Sequence, residues 1–320
     1  MTLDVGKAVF GICKQSAKGT AASNPAFAFG LAGGGIGVDI AQEPDKLTSA
    51  YLSPAGAYRS KADTGASIET RAWQKAIGLL LYGALGAIST TGAGPYTHVI
   101  TLGSALPYLT VFDKKGDGTI LGVKDCKIDE LELSWEENMP LDVSVKFAGG
   151  ALSFPTFTAV VDESDTVAYY TPVGGTFKYD VDSGTAVEAS ILGGKIVIGR
   201  EAKPYTFSGD IEAADVMEGA CSVEVSLSVL PADMTLWRTI ATGTSSGTGI
   251  SNSPVYGSIE HTFVVGADSL KFAATNVGFL VDIPEADPDG GAAESELAGV
   301  AYRVTGTPIT ATLINTQVSY

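Results

Sequence analysis

Histidine is nearly missing. A chain of 320 residues holds two, His98 and His261, so proton transfer near neutrality has few candidates. Cysteine is as sparse. Cys13, Cys126 and Cys221 are odd in number, far apart and without a CxxC spacing. Neither a disulfide framework nor a zinc site is expected from them, and a reducing cytoplasm suits them. Basic residues are outnumbered, 20 Lys and Arg against 36 Asp and Glu, for a net charge of −16. That balance gives no footprint for gripping nucleic-acid phosphates and none for an anionic membrane surface. The longest near-apolar run, Ala76 to Ile88, is thirteen residues, too short to span a bilayer. Met1 to Lys7 lacks a basic stretch leading into an apolar one, so no signal peptide is expected there. Charged residues are only 18%, below the usual quarter. The 45% of apolar residues supplies a core for one large domain or two ordinary ones.

Most of the chain reads as strand. In residues 128–137, Leu131, Leu133 and Trp135 fall on one face and Glu130, Glu132, Ser134 and Glu136 on the other. That period of two marks a half-buried strand. Leu141 to Phe147 alternates likewise, with turn residues between, so the two predict a hairpin. Val111-Phe112 and Thr119 to Leu121 flank a second hairpin with Asp117-Gly118 as its tight turn.

Two segments break the pattern. Residues 71–86 carry Trp73, Ile77, Leu80, Leu81, Ala84 and Leu85 at helical steps, which predicts a helix ending near Gly86. Residues 232–241 predict a shorter helix between Pro231 and Gly243. Around each helix the order is the same: Gly-rich strand, long polar loop, strand, helix, Gly/Thr loop, strand, then final strands. Trp73 and Trp237 are 164 apart, and His98 and His261 are 163 apart. Half the chain is 160 residues, so a diverged duplication is expected. The domains are then 1–154 and 191–320, joined by a connecting segment, 155–190, with a little strand of its own.

Chemical motifs are few. Gly33 to Gly37 runs straight into Val38-Asp39-Ile40. A dinucleotide fingerprint needs a helix there, so a flexible lead into a strand is expected. A calcium loop from Asp113 would place Lys115 and Lys124 at its third and twelfth positions. Ammonium groups cannot coordinate a cation, so a hairpin turn is expected instead. No serine sits in a GxSxG elbow, and both histidines are expected to be structural, each at a loop-to-strand corner. Catalytic residues, cofactor and metal are all expected to be absent.

Two features carry more. Glu130, Glu132 and Glu136 make an acidic strand face, and Glu137 follows. Gln42 to Thr64 is long for a loop inside a compact domain and holds Leu47, Tyr51, Leu52 and Tyr58. Its counterpart, Glu201 to Glu218, holds Tyr205 and Phe207. Apolar anchors on such arms suit docking against a neighbouring subunit.

The opening VGKAVFGICKQSAKGTAA, the GIGVDI strand, the long arm, GASIETRAWQKAIGLLLYGALGA, YTHVITLG, LPYLTVF and KIDELELSW follow in order. Together they resemble the tail tube (major tail) proteins of long, non-contractile bacteriophage tails. The resemblance is strongest over residues 1–150 and extends to the terminal AYRVTGTPITATLINTQVSY. It implies a mainly β fold of two tandem β-sandwich or barrel domains, each with one flanking helix and a long inter-strand arm. It further implies a non-enzymatic virion protein, assembled in the host cytoplasm, that builds stacked rings around an acidic channel for DNA. The partners implied are copies of itself and the tape-measure, tail terminator and distal tail proteins. Two tube domains per chain imply a trimeric ring with pseudo-six-fold symmetry, with a hexamer of single barrels as runner-up. The arm to the adjacent ring falls on Gln42 to Thr64. The alternatives are a non-catalytic baseplate, decoration or surface β-sandwich binding module, which should not polymerise alone, and a hydrolase on a β scaffold.

Overall fold

Twenty strands and two helices form the described residues of the computed structural model, which are 9–44, 56–156, 168–181, 187–188, 191–230, 233–280, 295–303 and 306–320. The first half runs β1 (Val9–Lys14), β2 (Phe27–Gly30), β3 (Gly33–Pro44), β4 (Ala57–Arg71), α1 (Ala76–Leu85), β5 (Gly86–Thr91), β6 (Tyr96–Leu102), β7 (Leu109–Lys114), β8 (Ile120–Trp135), β9 (Asp142–Ala148) and β10 (Leu152–Ser153). The second runs β11 (Thr171–Asp180), β12 (Val187–Glu188), β13 (Ile191–Gly199), β14 (Lys203–Tyr205), β15 (Asp215–Met217), β16 (Ser222–Val229), α2 (Thr235–Thr242), β17 (Tyr256–Val265), β18 (Asp268–Phe279), β19 (Ser295–Ala301) and β20 (Thr310–Asn315).

A central antiparallel sheet has the order β3–β4–β9–β8–β13–β16–β19. The C-terminal end of β18 pairs with β19, and the rest of β18 belongs to a second sheet, β5–β6–β20–β18–β17–β11. The N-terminal part of β8 completes a third sheet, β2–β1–β7–β8, with β10 on its edge. The 16 residues of β8 therefore serve two sheets. Alternation turns Leu131, Leu133, Val143, Val145, Ile196, Ile198, Val225 and Leu227 into one contiguous core. Burying each such side chain contributes about 1.5–3 kcal/mol before entropy is counted.

Helix α1 packs against β8 and β6, and every residue of it except Tyr82 is buried. A helix apolar all round belongs inside. It begins five residues later than the periodicity predicts, because Arg71 completes β4 and the Ala72 N–H donates to the Leu141 carbonyl at 2.9 Å. Its end is as expected: Gly86 takes a left-handed φ of 97° and its N–H donates to the Tyr82 carbonyl. Helix α2 ends on Gly243 in the same way, with φ 84°. Gly78 of α1 is needed for a close approach, since a Cβ there would lie 2.2 Å from the Tyr320 ring. Tyr320 also packs against Phe27, meets His98 edge to face and accepts from Asn315 Nδ2 at 2.7 Å.

Three expectations change. Gln42 to Thr64 is not a loop at its two ends. β3 and β4 stay paired from Gly33↔Glu69 out to Pro44↔Ala57. Both faces of that extension are wet, so no apolar alternation announced it. The connecting segment carries the ten-residue strand β11, which pairs along β17. The two histidines lie inside strands, His98 in β6 and His261 in β17, instead of at corners.

Candidate functional site

The outward face of the central sheet collects charge. Over β4, β9, β8, β13, β16 and β19 the alternation that buries the apolar residues turns Glu69, Asp142, Glu130, Glu132, Glu224 and Glu296 outward, with Arg71, Lys146 and Lys195 among them. Carboxylates thus outnumber cations on this face. Lys146 Nζ contacts Glu130 Oε1 at 2.7 Å, and Lys195 Nζ contacts Glu132 Oε2 at 2.7 Å. The hydrogen bond and charge of Glu130 hold the Lys146 ammonium above its ordinary value. Arg71 pairs with Asp142. Such exposed pairs add little stability, about 0–1 kcal/mol each. They place and partly neutralise the acids of β8. Glu136 departs from the expected row: β8 stops at Trp135, and Glu136 stands in the following turn, where its carbonyl accepts the Met139 N–H at 3.2 Å.

The β3–β4 ribbon projects from one end of this sheet. Val38 to Pro44 and Ala57 to Ser60 are all exposed. At about 3.3 Å per residue, the seven positions from Val38 to Pro44 reach roughly 20 Å. The ribbon presents Val38, Ile40 and Tyr58, the last 55% exposed and hydrogen-bonded to Glu43 at 3.1 Å. Leu47, Tyr51 and Leu52 lie outside the described residues.

The second arm behaves differently. Its hairpin, β14–β15, sits on the first half of the same chain. Lys127 Nζ pairs with Glu218 and lies 4.6 Å over the Tyr108 ring. The Tyr108 hydroxyl donates to Asp215 at 2.9 Å, and Lys18 contacts Asp215 at 2.6 Å. Ala202 N–H donates to Asp129 Oδ1 at 2.7 Å, and Leu152 N–H to Glu212 Oε1 at 3.1 Å. Burial and the neighbouring Asp215 push the Tyr108 phenol up to about 12. Burial alone would raise Asp215 and Glu218, but bonds from Lys18 and Tyr108 to the one, and from Lys127 to the other, outweigh it and hold both low. Tyr205 and Phe207 remain outward, 45% and 60% exposed.

The join between halves is the β8–β13 ladder, Glu130↔Gly199 through Trp135↔Gly194. Behind it, Trp135 packs on Phe177, Phe263 and His261. His261 is fully buried, neither ring nitrogen has a hydrogen-bond partner among the described residues, and burial pushes it down to about 3. His98 differs: Thr90 Oγ1 lies 2.8 Å from Nδ1, and Nε2 lies 2.9 Å from the Gln317 carbonyl. Nε2 therefore donates and Nδ1 accepts. The two rings sit on different strands and share no serine or carboxylate partner among these contacts.

A long acidic sheet face, a projecting ribbon and a self-continuing sheet describe an assembly subunit better than a catalyst. A family model described as phage tail tube protein matches residues 6–308. The chain belongs to that family. No match is found among curated proteins. Membership makes the chain a structural protein of a phage tail, and the mainly β architecture expected from the sequence agrees with it. As a tail tube protein it is a component of the virion that assembles with its own kind and with other tail proteins. No described helix is long and apolar enough to cross a membrane.

Sequence reasoning missed the clamp of the second arm. Lys127 and Glu218 are 91 positions apart, and nothing local marks them as partners. In sequence Lys127 is one charge among Lys124, Asp125 and Asp129; only the fold shows it 5% exposed, where a buried lysine needs a carboxylate.

Proposed function

We propose that this tail tube protein closes into rings, three chains to a ring with pseudo-six-fold symmetry, and that the rings stack around a channel lined by the acidic face of the central sheet. One observation carries the reading: the sheet passes from the first half of the chain to the second through β8–β13 without a break, and its outermost strand β3 pairs with β4 alone among the described residues. The strand, strand, helix order of β3–β4–α1 recurs in β13–β16–α2. In each case the first two strands pair, and the second pairs with a strand further along, β9 or β19. This supports two tandem tube units, 1–154 and 191–320, joined by 155–190. Open sheet edges aggregate unless paired. Head-to-tail pairing around a ring removes them, and an identical contact along the axis makes an open filament.

On this reading Glu130 and Glu132 face DNA. A wall of net negative charge repels phosphates, so DNA slides without sticking, with salt screening beyond about 8 Å. The ribbon, with Tyr58 on its flank, is the arm to the adjacent ring, and the apolar Leu47, Tyr51 and Leu52, which lie outside the described residues, serve the same docking on this reading. Tape-measure, tail terminator and distal tail proteins are the further partners, and the tube is built in the host cytoplasm. Electron microscopy of the purified protein tests the reading. Hollow tubes or stacked rings are expected, and a strictly monodisperse monomer at high concentration would refute it. Changing Glu130, Glu132 and Glu136 together to Lys should leave the melting temperature nearly unchanged, because each pair removed is exposed. Phage carrying that tube should lose infectivity at least tenfold at low salt. Undiminished infectivity would put this face away from the DNA.

A further inference from the structure

The ribbon leaves the sheet before its own pairing ends. β9 accompanies β4 only as far as Gly65↔Ala148, while β3 and β4 go on pairing to Pro44↔Ala57. Two ties to the residues after β9 follow. The Gly149 N–H donates to the Thr64 carbonyl at 3.1 Å, and the Thr64 hydroxyl donates to the Gly150 carbonyl. At Ala62 the partner changes. Its N–H, turned away from β3, donates at 2.7 Å to the carbonyl of Ile211 in the second arm. An element of the second half thus takes the rung that β9 vacates. Just beyond, the register shifts: Ala41 faces Lys61 and Gln42 faces Arg59, which leaves Ser60 as an extra residue. Such a bulge bends and twists its strand, so the tie at Ala62 sits where the direction of the ribbon is set.

Ile211 is itself held in place. The Asp210 N–H closes a turn on the Phe207 carbonyl at 3.1 Å, and the Ala214 N–H donates to the Tyr205 carbonyl at 2.8 Å. The next residue, Glu212, accepts from the Leu152 N–H of β10 at 3.1 Å. Asp215 and Glu218 follow at steps of three, and each fastens to the first half. Asp215 meets Tyr108 and Lys18, and Glu218 meets Lys127 and the Leu106 N–H at 3.2 Å. Val216, between them, is fully buried. Three carboxylates and one apolar plug therefore seat the arm on β10, on β8 and on the segment ahead of β7. Ile211 meets the ribbon through its carbonyl, and its side chain is 40% exposed.

We propose that the second arm is a brace: clamped to the first half by Glu212, Asp215 and Glu218, it holds the Ile211 carbonyl against Ala62 and so aims the β3–β4 ribbon. The brace deepens the ring reading above and takes its purpose from it. A ribbon already aimed loses less conformational freedom when it docks. Ala62 and Ile211 are positioning residues, and the second half of the chain directs an element of the first.

The distribution of distances between two nitroxides tests it. They are carried on unnatural residues at Glu43, on the ribbon, and at Glu137, in the turn after β8, in full-length chain diluted with unlabelled protein. Replacing residues 206–214 with Asn-Gly removes Ile211 and Glu212. The new turn closes on the Tyr205↔Asp215 pair and keeps Asp215, Val216 and Glu218. The distribution should broaden at least twofold and tube growth, followed by light scattering, should slow at least tenfold, with the melting temperature unchanged. A second form carries lactic acid in place of Ala62, which puts an ester oxygen where that N–H stood, and its distribution should broaden too. An unchanged width in either form would overturn the brace. A broadened width with tube growth at the original rate would overturn its part in assembly. Absence of tubes from the unaltered protein would overturn the ring reading, and the width would still decide the brace.

Discussion

Replacing residues 42–60 with an Asn-Gly turn is expected to abolish tube growth and leave the subunit folded. Ala41 and Lys61 are ladder partners, so a two-residue turn closes the shortened hairpin in a favoured geometry. The described residues removed, 42–44 and 56–60, are all exposed and lie above the buried root. Ala62 and Thr64 stay, with the Ala62 N–H still donating to the Ile211 carbonyl at 2.7 Å and the Thr64 hydroxyl to the Gly150 carbonyl. Cutting back to Thr64 would breach that root, so the boundary matters. Far-ultraviolet circular dichroism and the melting temperature should change little, because the deleted rungs bury almost nothing. Tubes in electron micrographs should disappear, a loss of at least a hundredfold in polymer. Ordinary tubes from the shortened protein would remove the ribbon from assembly altogether.

The second large effect is on acid stability. His261 is neutral in the fold, with its folded value pushed to about 3 from an ordinary 6.5. Unfolded chains take up the proton below about pH 6.5 and folded ones do not, so stability is whole above that pH and drains as pH falls toward 3. The slope is about 1.4 kcal/mol per pH unit. Asp215 and Glu218 are held below ordinary values of 3.8 and 4.5, so their contribution is lost only at lower pH. Urea titrations between pH 6.5 and 4.5 should therefore show a fall of about 2 kcal/mol. His261→Leu should flatten that limb and, by removing two unpartnered nitrogens from an aromatic nest, cost nothing at neutrality. Parallel limbs in the two proteins would acquit His261.

What could be read beforehand divides by where the information sits. β8 and β9 were legible because one face is dry and one wet, and Leu131, Leu133, Val143 and Val145 record that every second residue. Gly86 and Gly243 were legible as helix ends because a left-handed cap favours glycine. The ribbon was opaque because a two-stranded extension in solvent imposes no pattern on Gln42 or Arg59. β11 was opaque for a related reason. Gly174 and Gly175 sit where its register shifts against β17, and a Cβ on Gly175 would meet the Thr262 carbonyl at 2.1 Å. The glycines that permit the strand also disguise it. On the acidic face, Glu130 and Glu132 were correctly grouped by alternation, but their lysine partners come from β9 and β13 and needed the register. Glu136 was misgrouped because periodicity does not say where a strand stops.

The β8–β13 ladder is made within one polypeptide. Its two partners meet at the rate of intramolecular folding and at a local concentration set by the tether, independent of how much protein the cell holds. A pair of β units made as separate chains would have to find each other by diffusion and could be supplied in unequal amounts. Here that joint is delivered ready-made and in fixed ratio, and dilution can undo only the joints between molecules.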